Sequence, residues 1–162
     1  GRTFIEPTQN IRSLGVKLKL SSTKTIVKNK SIILIDDSLV RGTTCHKIVK
    51  MLYESGAKEV HVRIACPEIR YPDFYGVDMP TKEELLANEK NNKEMCEYIN
   101  ANTLKFLSLD GLYKALINEK RNLSYPQFSD HYFTGDYPIK PQDNLNGTQI
   151  KQLSLLSGKS NN

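Results

Sequence analysis

The chain has 162 residues, enough for one domain with its own hydrophobic core, and a formal net charge of +5 at pH 7. No apolar run approaches the roughly 20 residues of a membrane-spanning helix, which argues against a membrane protein. The three cysteines, Cys45, Cys66 and Cys96, lie at spacings that match no zinc-binding or disulfide pattern. We therefore expect a cytoplasmic protein that contacts no membrane. The chain begins at Gly1 without an initiator methionine, which suggests a piece of a longer polypeptide.

Residues 1–24 are predicted to form a flexible basic loop. Residues 1–30 contain seven Lys or Arg and one acid, a net charge of +6, whereas residues 31–162 contain sixteen bases and seventeen acids, a net charge of −1. An anionic partner is therefore expected at the N-terminal stretch, either a nucleic acid or a polyphosphate ligand. We favour the polyphosphate and predict no nucleic-acid binding, because no set of aromatic residues accompanies these bases.

The pattern that follows is typical of a βαβ unit. Residues 31–35 (SIILI) form a continuous apolar run, which predicts a strand buried on both faces of a parallel sheet. The spacing of apolar residues predicts a helix over 44–55, ended by Gly56. A second strand is predicted over 59–65.

The rest of the chain is predicted to contain shorter elements. Thr81 is expected to cap a helix with Glu84 in the capping-box position, and Asp110 is expected to open another. The predictions are a loop over 66–80, helices over 81–86, 91–99 and 110–117, strands over 104–109 and within 131–138, and a polar tail over 139–162. The predicted fold class is α/β, with a mainly parallel sheet flanked by helices.

A possible binding site follows the first strand. The adjacent acids Asp36 and Asp37 precede a loop with Gly42 and three hydroxyl residues, and this loop enters a helix N-terminus, which favours anions. Carboxylates facing a bound phosphate would repel it, so these acids are expected to meet sugar hydroxyls or Mg²⁺. A sugar phosphate satisfies both halves; the alternative is a simple helix cap beside a solvated strand end. The predicted site residues are Asp36, Asp37, Ser38, Val40, Arg41, Gly42, Thr43 and Thr44, with Asp36 and Asp37 also as metal ligands.

The stretch ILIDDSLVRGTT (33–44) resembles the phosphoribosylpyrophosphate (PRPP) motif of type I phosphoribosyltransferases. Four further stretches resemble the amidophosphoribosyltransferase family, which is glutamine PRPP amidotransferase. They are GRTFIEPTQNIRSLGVKLKLS, GAKEVHVRIACPEIRYPDFYGVDMP, INANTLKFLSLDGLYKAL and FTGDYP. The resemblance covers roughly residues 1–138 and implies a type I phosphoribosyltransferase fold, present here as a partial domain.

The resemblance also implies an activity. Ammonia from glutamine displaces pyrophosphate from PRPP and gives 5-phosphoribosylamine, the first step of de novo purine synthesis. Residues 1–24 would be a lid over PRPP, with Arg2, Arg12, Lys17 and Lys19 as candidates for contacting pyrophosphate, and residues 25–138 would be the C-terminal part of the phosphoribosyltransferase domain. An N-terminal glutaminase domain with its catalytic Cys would lie outside this chain, so no catalytic residue is assigned within it and the chain alone is expected to be inactive. Purine nucleotides and further copies of the same chain are the other implied partners.

Some members of the family carry a structural iron–sulfur cluster. Three of the cluster's cysteine positions correspond to Asp73, Ser129 and Tyr132 in this sequence. Because such clusters need thiolates or, less often, His, we expect no iron–sulfur cluster. The expected cofactor is Mg²⁺, held at the acid pair. The three cysteines are interpreted as packing residues, and His46 and His131 as surface or second-layer groups.

Two alternatives remain open at this point. The chain could belong to another type I phosphoribosyltransferase, or to a non-catalytic regulator that senses PRPP. The segment GRTFIEPTQNIR favours the amidotransferase, since it resembles that family's lid and has no evident role in a regulator.

Overall fold

A computed structural model describes residues 24–139 of the chain. They form a three-stranded parallel sheet in the order β1-β2-β3, with helices packed against it. The strands are β1 (Ser31–Asp36), β2 (Glu59–Ile64) and β3 (Thr103–Phe106), and the helices are α1 (Lys24–Val27), α2 (Thr43–Glu54), α3 (Leu86–Glu89), α4 (Asn92–Tyr98), α5 (Leu109–Ile117) and α6 (His131–Thr134), with a 3-10 helix at Lys82–Glu84. The predicted parallel α/β class is confirmed.

The βαβ unit lies where the sequence predicts it. β1 and β2 pair in parallel from Ser31 opposite Glu59 to Asp36 opposite Ile64, and α2 provides the crossover that parallel neighbours need. α2 ends before Gly56, which has a φ of +92° and whose carbonyl accepts a hydrogen bond from the Asn29 N–H at 2.7 Å. The predicted helix stop is therefore confirmed.

The hydrophobic core lies between the sheet and helices α2 and α4. Val60 and Val62 on β2 are fully buried, and each contributes about 1.5–3 kcal/mol by leaving water. The core residues that meet this face are Val49 and Leu52 of α2, Met95 of α4, Ile99 and Leu104. This packing holds the carboxyl ends of the strands in a defined position.

The prediction that β1 is buried on both faces is wrong. Ile33 and Ile35 remain 65% and 72% exposed, whereas Ile32 and Leu34 pack against the core. Successive side chains of a strand point to opposite faces, and residues 24–139 cover only the face of β1 that carries the even-numbered residues.

The helix predicted over 81–86 is interrupted. Glu84 Oε2 accepts a hydrogen bond from the Thr81 N–H at 3.1 Å, as the capping-box pattern predicts. Leu85, however, is extended and fully buried, so a 3-10 turn precedes it and α3 begins only at Leu86. The Leu86 N–H donates to the Val40 carbonyl at 2.9 Å and not to a carbonyl of the preceding 3-10 turn. A tertiary contact has overridden the local helical pattern.

Two boundaries near the C-terminal end also differ from the predictions. α5 is capped by Ser108, whose Oγ accepts from the Gly111 N–H at 3.0 Å, and not opened by Asp110. The strand predicted within 131–138 is wrong, because His131–Thr134 form the short helix α6. The Tyr132 carbonyl accepts from the N–H groups of Arg70 and Tyr71, so tertiary contacts also shape this turn.

Several predictions fall on residues outside the described range. They include the lid over 1–24 with Arg2, Arg12, Lys17 and Lys19, and the polar tail from residue 140 onward; they stay predictions. Within residues 24–139, no helix is both long enough and apolar enough to cross a membrane.

Candidate functional site

Two carboxylates stand at the carboxyl end of β1. Asp36 is half-buried as the last residue of the strand, and Asp37 is exposed. The Asp37 N–H donates to Asp36 Oδ1 at 3.0 Å, and the Ser38 hydroxyl donates to Asp37 Oδ1 at 3.0 Å. Burial and the charge of Asp37 raise the pKa of Asp36, although the Asp37 N–H partly opposes them. A cation beside the pair would relieve this repulsion.

The acid pair also affects two neighbouring thiols. Burial and the charge of Asp36 raise the pKa of Cys45 to about 12. Burial and the charge of Asp37 are the main causes that raise the pKa of Cys66 to about 11. Both thiols therefore stay protonated at neutral pH, which agrees with their interpretation as packing residues.

The donor set at the acid pair fits Mg²⁺. This ion prefers oxygen ligands and is often held by one or two carboxylates together with water and substrate phosphates. Within the described part of the chain, no group of three or more His, Cys, Asp or Glu side chains is arranged to hold a metal ion. Asp36 and Asp37 would thus provide part of a coordination sphere that a bound anion and water complete.

The N-terminus of α2 follows Asp37 after a loop of residues 38–42. Gly42 occupies the N-cap position with a φ of +74° and has no side chain with which to cap the first turn. The first turn carries no acidic residue, and Thr43 and Thr44 are exposed. The backbone N–H groups of this turn and the two hydroxyls can therefore donate to an anion, which the helix dipole also favours.

The loop between β1 and α2 packs against residues 84–98. The Val40 carbonyl accepts from the Leu86 N–H at 2.9 Å, so Val40 contributes to the loop through its backbone. The Arg41 guanidinium is bound to Glu84 Oε1 at 3.2 and 3.3 Å in an exposed ion pair. Arg41 thus lies in the loop, as predicted, but its charge is shared with an acid that the sequence suggested only as a helix cap.

The structure places the predicted site residues along one segment, from the end of β1 to the first turn of α2. Glu84, Leu86 and Tyr98 contact this segment at residues 40–42. The sequence reasoning missed these three supporting residues. Of the three, only Glu84 belongs to a recognisable sequence pattern, the capping box. That pattern predicted a contact with Thr81 and not with the loop.

Comparison with known proteins gives the site a context. No family model matches the chain. Amidophosphoribosyltransferase of Rhizobium etli is 53% identical over 158 residues, which cover 97% of this chain and 32% of the relative. Amidophosphoribosyltransferase of Staphylococcus aureus is 52% identical over 137 residues, which cover 85% of this chain and 28% of the relative. The solved structure of PRPP amidotransferase from B. subtilis, complexed with ADP and GMP, superposes with a TM-score of 0.68 at 42% identity and covers 88% of this chain and 31% of that one.

The chain is homologous to amidophosphoribosyltransferase. The resemblance found in the sequence is confirmed, and so is the type I phosphoribosyltransferase fold. The chain spans about a third or less of the length of the curated relatives reported above.

In this amidophosphoribosyltransferase homologue, the three positions expected to replace cluster cysteines lie in one hydrogen-bonded network. Asp73 Oδ1 accepts from the Tyr132 hydroxyl and lies 2.9 Å from His131 Nε2. Ser129 Oγ lies 3.1 Å from His131 Nδ1. His131 is 1% exposed and lies among Tyr75, Tyr132 and Tyr137. The surface alternative for His131 is therefore wrong, and the second-layer alternative stays a prediction.

Asp73 is the centre of this network. Its Oδ2 accepts from the N–H groups of Tyr75 and Val77, both at 2.8 Å. Burial opposes ionisation, but these two donors and those from Tyr132 and His131 outweigh it and lower the pKa of Asp73 to about 2. These hydrogen bonds connect the loop over 70–78 to α6.

A second buried carboxylate, Asp130, lies at the N-cap position of α6. Asp130 is 3% exposed and binds Arg121 at 2.5 and 3.1 Å. It also accepts from the Tyr113 hydroxyl of α5 at 2.8 Å. Both buried acids therefore have partners, as buried charges require.

We predict that Gly42→Ala opens the loop. A β-carbon at Gly42 would lie 2.7 Å from Leu86 Cδ2, and the left-handed backbone costs other residues about 1–2 kcal/mol. The peptide covering residues 38–46 of the full-length protein should lose protection from amide hydrogen exchange. Gly76→Ala is the matched control, since Gly76 also has positive φ but no atom within 4 Å of an added β-carbon. Unchanged exchange over 38–46 in Gly42→Ala would contradict the tight packing.

We also predict a pH-dependent effect of Asp73→Asn. Because the folded-state pKa is lowered, the Asp73 charge contributes its stabilisation above about pH 4, and this is lost as the pH falls toward 2. The variant should lower the opening free energy of residues 129–137 by roughly 1–2 kcal/mol at pH 6, and its difference from wild type should shrink below pH 4. Protection factors from hydrogen exchange measure this, with Asp78→Asn as an exposed acidic control. A difference that does not change with pH would show that the Asp73 charge is not the cause.

Proposed function

We propose that this chain is the PRPP-binding part of an enzyme that forms 5-phosphoribosylamine from PRPP and glutamine-derived ammonia, with release of pyrophosphate. The observation that carries the proposal is the junction of β1 and α2, where an acid pair adjoins a helix N-terminus without a side-chain cap. Three relatives named amidophosphoribosyltransferase are 47–53% identical over 85–97% of this chain, which supports the same proposal.

Each half of the junction has a distinct role in this proposal. The N–H groups at the start of α2 and the hydroxyls of Ser38, Thr43 and Thr44 bind the 5-phosphate of PRPP. Asp36 and Asp37 accept hydrogen bonds from ribose hydroxyls and would hold Mg²⁺, which when bound supplies charge compensation to the pyrophosphate group. The protein thereby orients the anomeric carbon for ammonia, and the departing pyrophosphate leaves on the opposite face of the sugar.

The remaining parts of the enzyme lie outside the described residues. We propose a glutaminase domain that supplies ammonia, and a lid over 1–24 in which Arg2, Arg12, Lys17 and Lys19 contact pyrophosphate. A closed lid would exclude water from a sugar cation that water could hydrolyse. We further propose assembly into a homo-oligomer, a cytoplasmic location and binding of purine nucleotides. Nucleotide binding is supported by the ADP and GMP bound in the B. subtilis structure.

We propose that no iron–sulfur cluster is present. Asp73, Ser129 and Tyr132 lie in one network and direct their oxygens to one another or to His131. Their oxygens are hard ligands that suit iron–sulfur clusters poorly, and the hydrogen bonds already connect the segments that such a cluster would join.

The two alternative functions receive less support. The matched relatives are named amidophosphoribosyltransferase across bacteria and plants, and the match extends well beyond the PRPP motif. A type I phosphoribosyltransferase of another specificity, or a PRPP-sensing regulator, would share chiefly that motif.

The acid pair gives a direct test of the function. In the full-length protein, the double variant Asp36→Asn and Asp37→Asn should abolish phosphoribosylamine formation, since ribose and Mg²⁺ lose their charged ligands. Glutaminase activity should survive in part, because ammonia is produced at another site. Glu54→Gln, a charge change at the far end of α2, is the control and should leave both activities unchanged. Full synthase activity in the double variant would refute the site.

The cluster proposal is tested by the colour and composition of the protein. Anaerobically purified full-length protein should show neither the brown absorbance nor the acid-labile sulfide of an iron–sulfur protein. Stoichiometric iron and sulfide would overturn the proposal, and its failure would leave the function of the acid pair untouched.

A further inference from the structure

The loop between β1 and α2 is contacted by a second layer of residues that lie outside the predicted site segment 36–44. This layer consists of Glu84, Leu86 and Tyr98, and it meets the loop at Arg41, Val40 and Gly42 respectively. The three contacts differ in strength. The Arg41–Glu84 pair is about half exposed at both ends and contributes little, whereas Gly42 is buried by its neighbours.

Gly42 is the tightest of these contacts. A β-carbon built there would be 2.7 Å from Leu86 Cδ2, 3.0 Å from Tyr98 Cε1 and 3.3 Å from Tyr98 Cδ1. The Tyr98 ring and the Leu86 side chain therefore lie against the backbone of Gly42. Since Gly42 is the N-cap of α2, these contacts act on the residue that sets the direction of the first N–H groups of the helix.

Tyr98 is itself held at several points. Its carbonyl lies 2.8 Å from His46 Nδ1, which joins the end of α4 to the first turn of α2. Its ring faces Lys90 Nζ at 5.8 Å from the ring centroid. The adjacent Ile99 and the preceding Met95 are fully buried, so the backbone of Tyr98 is anchored in the core. The ring therefore lies against Gly42 from an anchored backbone, although Tyr98 as a whole is 38% exposed.

We propose that Tyr98 is a positioning residue for the phosphate loop, whose ring holds the Gly42 turn so that the first N–H groups of α2 converge on the bound phosphate. This rests on the proposed function of the loop. The ring acts through packing, and its hydroxyl is not required. Without the ring, Gly42 loses its backing and the loop samples conformations in which the N–H groups diverge.

The proposal predicts a specific pattern of affinities. If removal of the ring reduces the binding-competent population of the loop to about a tenth, the apparent Kd for PRPP rises about tenfold. Isothermal titration of the full-length protein with PRPP and Mg²⁺ should show this for Tyr98→Ala. Tyr98→Phe keeps the ring and should stay within about twofold of wild type. In steady-state kinetics, Tyr98→Ala should raise the KM for PRPP while kcat at saturation is nearly unchanged.

A matched control separates positioning from general loss of stability. Tyr53→Ala removes a half-buried tyrosine at the opposite end of α2, where its hydroxyl donates to Asn102 at 2.7 Å. It should leave the affinity for PRPP unchanged. The proposal would be overturned if Tyr98→Ala bound PRPP like wild type, or if Tyr53→Ala weakened PRPP binding as much as Tyr98→Ala does.

A ligand-free measurement keeps the proposal testable if the proposed function fails. Hydrogen exchange over residues 38–46 should be faster in Tyr98→Ala than in wild type, Tyr98→Phe and Tyr53→Ala. If wild type does not bind PRPP, the proposed function is wrong, and exchange alone decides whether Tyr98 holds the loop. Unchanged exchange in Tyr98→Ala would refute the positioning role whatever the ligand is.

Discussion

Parallel pairing of β1 with β2 is the constraint on which the site depends. Two parallel neighbours cannot be joined by a tight turn, so the chain must leave β1 at its carboxyl end and return through α2. This connection places Asp36 and Asp37, at the end of a strand, within a few residues of a helix N-terminus. A region of negative side-chain charge and a region of positive backbone dipole thereby become neighbours. A ligand with an anionic end and a hydroxyl-bearing or metal-bound end is complementary to both.

The elements around this junction pack against it. Met95 of α4 and Ile99, just beyond this helix, are both fully buried in the core. Because Tyr98 lies between them in the chain, its ring is placed against Gly42. The segment that leads into α4 contributes the hydrogen bond from Leu86 to Val40. In the proposed function this short loop presents several N–H groups to one phosphate, and such support would lower the entropy cost of binding, because the loop is ordered beforehand.

A different solution holds the periphery together. The loop over 70–78, α5 and α6 contribute little to the main core, and two buried carboxylates connect them. Asp73 joins the loop to His131 and Tyr132, and Asp130 joins α6 to Arg121 and Tyr113. Each carboxylate has several donors, which compensates for its burial. Polar networks of this kind depend on how distant segments pack together. The sequence around residues 129–132 therefore contains no local pattern that predicts them.

The sequence by itself determined the elements whose signals are local. The apolar run at 31–35, the helix ended by Gly56 and the strand at 59–64 follow from periodicity and turn chemistry within a few residues, and the acid pair and hydroxyls lie in one short stretch. Tertiary structure alone decided which face of β1 is covered, where Leu85 interrupts a helix, that His131–Thr134 form a helical turn, and that Tyr98 supports Gly42. The last three of these features depend on residues 46 to 62 positions apart in the chain, as in the pairs Val40 with Leu86, Gly42 with Tyr98 and Arg70 with Tyr132. No local pattern encodes such contacts, because they arise only when the sheet and its helices have packed.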